Sequence, residues 1–207
     1  MSVQKLIHLT GESLRDPRAF AERLKAAKIP RINCWEILAV AAILGVFMNH
    51  VSISLMLDLD AVPVDMLDKM RLDNARKLVE LPYIHAIIYM SVLVISVFVL
   101  FWVSRMAGGT GGFAPGILVM AWITYLSVVL GVFQLGLWLV SPALSTMFGV
   151  AVTALTLWVL TNLIAGVHGF TSPFKVFVMM IATSLAVLFG LAFFFGLLGL
   201  TLPGVPV

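Results

Sequence analysis

From Leu81 to Val207 the chain carries two formal charges, Arg105 and Lys175. All ten acidic residues lie at or before Glu80, and every other basic residue lies at or before Lys77. A stretch that avoids charge for so long is surrounded by a low-dielectric medium, where an unpaired charge costs several kcal/mol or more. The chain beyond Leu81 is therefore expected to be almost entirely intramembrane. Composition agrees. Hydrophobic residues make up 61% of the chain and charged residues 11%, against about 25% charged in an ordinary soluble domain. A water-soluble fold of this size leaves roughly a third of its unfolded area exposed and could not hide so much apolar surface. A soluble enzyme, a disordered chain and a disulfide scaffold are excluded. The one cysteine, Cys34, can form no internal disulfide.

Five apolar runs reach the roughly 20 residues that a spanning helix needs: about 34–57, 82–104, 115–140, 143–166 and 174–200. The breaks between them hold turn chemistry: Pro82, the glycine-rich 108–112 with Pro115 beyond it, Ser141-Pro142, and Gly169 to Pro173. The runs lack alternation and are too long for barrel strands. No signal-peptide core with a small-residue cleavage site precedes them, so the N-terminus is expected to be retained. The expected fold is all-α: a polytopic membrane bundle of five transmembrane helices with a cytosolic N-terminal amphipathic helix. The expected division is a basic cytosolic segment, 1–31, and a transmembrane domain, 32–207, with an outer loop at 58–81.

Orientation follows from the bases near the span ends. Seven lie in the first 31 residues, and Arg105 and Lys175 flank the second and fourth connections, giving nine on that side. The other side has four, Lys69, Arg71, Arg76 and Lys77, mixed with six acids. The N-terminus is expected in the cytoplasm, in a bacterial inner membrane, and the C-terminus on the far side. Although the pI is 9.2, this distribution argues against nucleic acid as a partner.

Residues 12–28 read as a short amphipathic helix, with Asp16 as N-cap and Pro17 in the first position. Phe20, Leu24 and Ala27 share one face, and Arg18, Glu22 and Lys25 the other. Such a helix can lie on an anionic leaflet, cap the ends of the spans, or dock a partner. A shorter helix through Val3, Leu6 and Ile7 is expected to end at Gly11. In 58–81, interleaved acids and bases without EF-hand spacing read as a solvated helix starting near Pro63, not as a metal site.

Polar groups inside spans are functional suspects. Glu36 has Arg31 and Lys28 as interfacial partners within reach. Asn49 and His50, near the outer end of the first span, and His85, in the second, lie at similar depth. Gln134, Thr153, Thr156, Thr161 and Asn162 read as interhelical hydrogen-bonding groups. A polar path through the bundle would be lined by Asn49, His50, His85, Gln134 and Asn162. Ala41-x-x-x-Gly45 and Ala186-x-x-x-Gly190 allow close helix approach. No Ser-His-Asp order, HExxH, CxxC or Walker loop is present, and the GGTGG of 108–112 has no Lys-Ser/Thr after it, so it reads as a tight turn. No catalytic, metal or cofactor residues are assigned.

Three segments taken together carry a family resemblance: SLRDPRAFAERL at 13–24, MAGGTGGFAPGILVMAW at 106–122, and TNLIAGVHGFTS at 161–172. The chain resembles the bacterial branch of the Yip family, the Ypt/Rab-interacting membrane proteins. The matching positions are Asp16, Pro17, Gly108, Gly109, Gly111, Gly112, Phe113, His168, Gly169 and Phe170. The resemblance implies five transmembrane helices and a cytosolic N-terminal region. Eukaryotic relatives act in vesicle traffic with small GTPases that bacteria lack, so the architecture transfers and the function does not. Relatives often carry an acid two residues before the histidine; here that position is Gly166, which leaves no local carboxylate–histidine pair. His168 is expected to tie the fourth span to the GGTGG turn, with Phe170 beside Phe113.

The expected function is a non-enzymatic accessory or organising subunit of a membrane assembly. Its partners are membrane lipids and either other integral membrane proteins or further copies of itself; no cofactor is implied. A small transporter or channel is the alternative, and a lipid-modifying enzyme using His168 a third reading.

Overall fold

The computed structural model describes residues 3–58, 76–77 and 79–197. Most of the 58–81 segment, with the surface helix expected near Pro63, lies outside the described residues, as does 198–207. The described residues form seven α-helices: α1 Val3–Arg15, α2 Pro17–Ala26, α3 Arg31–Asp58, α4 Pro82–Met106, α5 Phe113–Val140, α6 Pro142–His168 and α7 Pro173–Leu197. Helices α3 to α7 are each long and apolar enough to cross a membrane.

The helix starts follow from local chemistry. Pro82, Pro142 and Pro173 each open a helix, where a missing N–H leaves no bond unmade. Ser141 closes α5 and its hydroxyl accepts from the Leu144 N–H at 3.4 Å. Helix α5 starts at Phe113, ahead of the apolar run, and Pro115 is accommodated within its first turn. The N-terminal helices differ from expectation. Helix α1 continues through Gly11 to Arg15, because one exposed glycine costs a helix only about 1 kcal/mol, and Glu12 in the following turn pairs with His8 and with Arg23 of α2. The break falls at Asp16, whose carboxylate accepts from the Ala19 N–H at 2.9 Å and starts α2.

Two apolar clusters hold the bundle. One joins Phe20 and Ala21 of α2 to Val119, Ile123 and Leu126 of α5 and to Val159, Leu163 and Ile164 of α6. The other joins Cys34, Leu38, Ala41 and Ala42 of α3 to Leu93 and Val97 of α4 and to Ile117, Leu118 and Ala121 of α5. Helix α5 serves both and is the central rod: 44% of its most apolar stretch is buried, against 6% for α7. The two small-residue steps behave differently. A Cβ on Gly45 would stand 2.6 Å from the Tyr89 hydroxyl, so that glycine lets α4 approach α3. Among the described residues, nothing lies within 4 Å of a Cβ on Gly190.

The N-terminal pair packs on the spans. Phe20 meets Trp122 of α5 with ring centroids 4.6 Å apart, and the Thr10 hydroxyl lies 3.3 Å from that of Tyr125. Arg18, expected on the exposed face, is turned inward.

Candidate functional site

The sequence motifs meet at one end of the bundle, where α2, the α4–α5 turn and the α6–α7 turn join. Helix α6 ends at Gly169, which takes φ +74°, and the Phe170 N–H turns back to the Ala165 carbonyl at 2.9 Å. This left-handed closure suits glycine because a Cβ is strained there. The reversal points the His168 carbonyl at the α4–α5 turn, where the Thr110 N–H donates to it at 2.9 Å. Gly108 in that turn has φ +92°, and the Gly109 N–H donates to the Ser104 carbonyl at 2.8 Å.

His168 is 1% exposed and fills the junction. A Cβ on Gly111 would stand 2.6 Å from its Nδ1 and 2.7 Å from the Val167 carbonyl oxygen; one on Gly109 would stand 2.8 Å from the Ser104 carbonyl oxygen. A Cβ on Gly112 would meet Pro115 Cδ at 3.5 Å, an ordinary contact. The tie between the two turns thus runs through the histidine's backbone carbonyl, while its ring provides the shape. Both ring nitrogens, and the buried Ser104 hydroxyl, lack hydrogen-bond partners among the described residues. Phe170 lies by Gly109 and His168, not beside Phe113 as expected. Phe113 instead packs with Trp35, Phe98 and Phe101 at centroid distances of 6.1, 5.2 and 5.2 Å, because it opens α5 on the side facing α3 and α4.

Gly166 has its own reason. A Cβ there would stand 2.6 Å from Ala21 Cβ and 3.0 Å from the Arg18 carbonyl oxygen. Helix α2 lies directly on α6 at this point, and an acidic side chain would push it off. Two cations lock the corner. Arg18 donates to the carbonyls of Phe170 at 2.8 Å and Thr171 at 3.2 Å. Lys175 donates to the Ala107 carbonyl at 3.2 Å, with its ammonium 5.5 Å from the Phe170 ring centre. Carbonyls at helix C-termini are favourable partners for cations. The Lys175 bond also sets Lys175 and Arg105 at the same end of the bundle.

The polar residues inside the spans are dispersed. Asn49 lines a recess with Ser52, Tyr89 and Ser127. His50 lines a separate, apolar groove between α3 and α4. His85 is buried with its ring edge-on to Tyr89 at 6.3 Å. Nδ1 of each histidine is buried without a hydrogen-bond partner among the described residues, and no group of three or more metal-ligating side chains occurs among them. Gln134 packs against Gly149 in the α5–α6 hairpin. Asn162 donates to the Trp158 carbonyl of its own helix at 2.8 Å. Thr153, expected to bond between helices, returns to the Gly149 carbonyl, since the carbonyl one turn back is the nearest acceptor in an apolar medium; the Thr161 hydroxyl returns to Leu157 and also reaches Met180 Sδ of α7 at 3.9 Å, the interhelical contact expected of it. Glu36 is exposed and forms no ion pair among the described residues; Arg31 lies over the Phe113 ring at 5.5 Å instead.

Sequence reasoning missed the recess around Asn49 and the clasp formed by Arg18. The first had a signal: Gly45, Asn49 and Ser52 fall on one helical face. The second had none, since its acceptors are backbone carbonyls.

Five apolar rods, joined at one end by a glycine and histidine junction, define a polytopic helical membrane protein in which the N-terminal helices are part of the bundle. A family model described as the Yip1 domain matches residues 11–194, and the chain belongs to that family. The match runs from α1 into α7 and includes every junction residue. No curated protein and no solved structure matches the chain.

Proposed function

We propose that this chain is a non-enzymatic accessory or organising subunit of an assembly in the bacterial inner membrane, with its N-terminal helices in the cytoplasm and its C-terminus on the opposite side. The observation that carries this reading is the outward face of α7. Phe189 and Phe193 are exposed there, and the step formed by Ala186 and Gly190, on the same side of the helix, is open among the described residues. In lipid, helices associate through close packing at small residues, because the hydrophobic effect does not drive them together. Such a face suits another integral membrane protein or a second copy of the chain, with lipid covering the remaining apolar surface. The junction supports a structural role: His168 is enclosed, has no carboxylate partner among the described residues, and is fitted by glycines.

Cross-linking in membranes, followed by gentle extraction, affinity purification and mass spectrometry, tests the reading. A defined co-purifying membrane protein or homo-oligomer, lost in Gly190→Leu, is expected. A lone monomer whose deletion alters no membrane complex would end it. The polar recess at Asn49 favours a second reading, a small transporter or channel. Flux in proteoliposomes that is abolished by changing Asn49 or Ser127 would support it over the first.

A further inference from the structure

Within α3 and α5, two hydroxyls are satisfied by their own helix. Ser52 and Thr124 return to the carbonyls of Met48 and Met120 at 2.9 Å each. Asn49 and Ser127 do not. Both are exposed, they project from different helices, and they line the same recess of about 210 Å³ with Ser52 and Tyr89. Neither side chain, nor the Tyr89 hydroxyl, makes a hydrogen bond among the described residues. The recess is many times the roughly 30 Å³ share of one water molecule. Its floor depends on two glycines: Gly45, against which the Tyr89 hydroxyl lies, and Gly131 on α5.

Tyr89 is seven residues into α4, about 10 Å along its axis. The recess is thus at the depth of the hydrocarbon layer, and the exposure of Asn49 and Ser127 leaves it accessible at that depth. Unsatisfied polar groups are unfavourable in that layer. An amide and three hydroxyls offer donors and acceptors together, while no charged side chain among the described residues lines the recess. A charged head group would go unpaired there at a cost of several kcal/mol.

We propose that this recess binds the head of a neutral lipid bearing a free hydroxyl, such as a diacylglycerol or a long-chain alcohol, entering sideways from the bilayer. The site hydrogen-bonds the head through Asn49, Tyr89 and Ser127, and the chains remain in lipid. It does not depend on the assembly reading, since a monomer would carry it equally.

The test uses the full chain in phosphatidylcholine nanodiscs with a photo-crosslinkable diacylglycerol, the labelled peptides being mapped by mass spectrometry. Labelling is expected to concentrate on peptides containing 45–52, 86–90 or 127–131, and to be competed by unlabelled diacylglycerol or a long-chain alcohol but not by phosphatidic acid with the same chains. The double variant Tyr89→Phe, Ser127→Ala should reduce it at least fivefold. Gly131→Ala keeps every polar group, and its Cβ meets Met48 Cγ at an ordinary 3.6 Å, so it shrinks the recess without disturbing the fold and should reduce labelling at least twofold. Labelling spread evenly over the helices, equal competition by phosphatidic acid, or unchanged labelling in Gly131→Ala would each overturn the proposal.

Discussion

The four glycines around Thr110 are held by different constraints, and substitution separates them. Gly108 needs its positive φ, and Gly109 and Gly111 have no room for a Cβ, whereas Gly112 has room. Gly111→Ala would drive a methyl into the His168 ring and the Val167 carbonyl. Overpacking of this kind typically costs about 1–3 kcal/mol, so a clear fall in melting temperature is expected in detergent. Gly112→Ala should stay within about 0.5 kcal/mol of the unchanged protein. His168→Ala should also lower the melting temperature, by about 2–5 kcal/mol of stability if its cavity does not collapse. A His168→Ala protein that melts normally would refute the junction's structural role. The sequence marks 108–112 as a turn, but it does not say which glycine matters. That is decided by a histidine 58 residues away from Thr110, and spacing along the chain carries no information about its ring.

At the scale of elements, the seating of α2 on α6 depends on Gly166 beneath Ala21 and on Arg18 bonded to the carbonyls after α6. Gly166→Asp would introduce an acid where α2 makes its closest approach, and so should detach the helix. Limited trypsin digestion should then cut at Arg23, Lys25 or Lys28 at least tenfold faster, with the spans intact. Arg18→Ala removes the clasp but leaves Phe20 and Ala21 buried, so a smaller acceleration is expected. Unchanged protection in Gly166→Asp would mean that α2 is not held this way. The five long rods were legible because acidic residues from Asp58 close the first apolar run and proline or glycine marks the breaks between the others, and the start of α2 because Asp16-Pro17 carries its own capping chemistry. The placement of α2 along α5 and α6 was not legible. Its amphipathic pattern fits a leaflet as well as a helix groove, and only the room at Gly166 and the Trp122 ring decide between them. Thr153 misled for a related reason, while Thr161 meets Met180 of α7 as expected: side-chain type shows the capacity for a hydrogen bond, while geometry assigns it to the same helix or the next.

At the scale of the whole molecule, the account rests on five membrane crossings. Lys175 bonded to Ala107, and Arg18 bonded to Phe170 and Thr171, bring the N-terminal helices and two turns to one end. The bases on these elements then face a single compartment, as the distribution of Lys and Arg near span ends requires. Substituted-cysteine labelling with a membrane-impermeant maleimide, in sealed vesicles of known orientation, tests this most directly. Gly11, Gly112, Ser172 and Glu80 are all exposed, and native Cys34 is buried. Gly11→Cys, Gly112→Cys and Ser172→Cys should be labelled from one side only, and Glu80→Cys only from the other. Labelling of Gly112→Cys and Ser172→Cys from opposite sides, or of Glu80→Cys from the same side as Gly11→Cys, would contradict it.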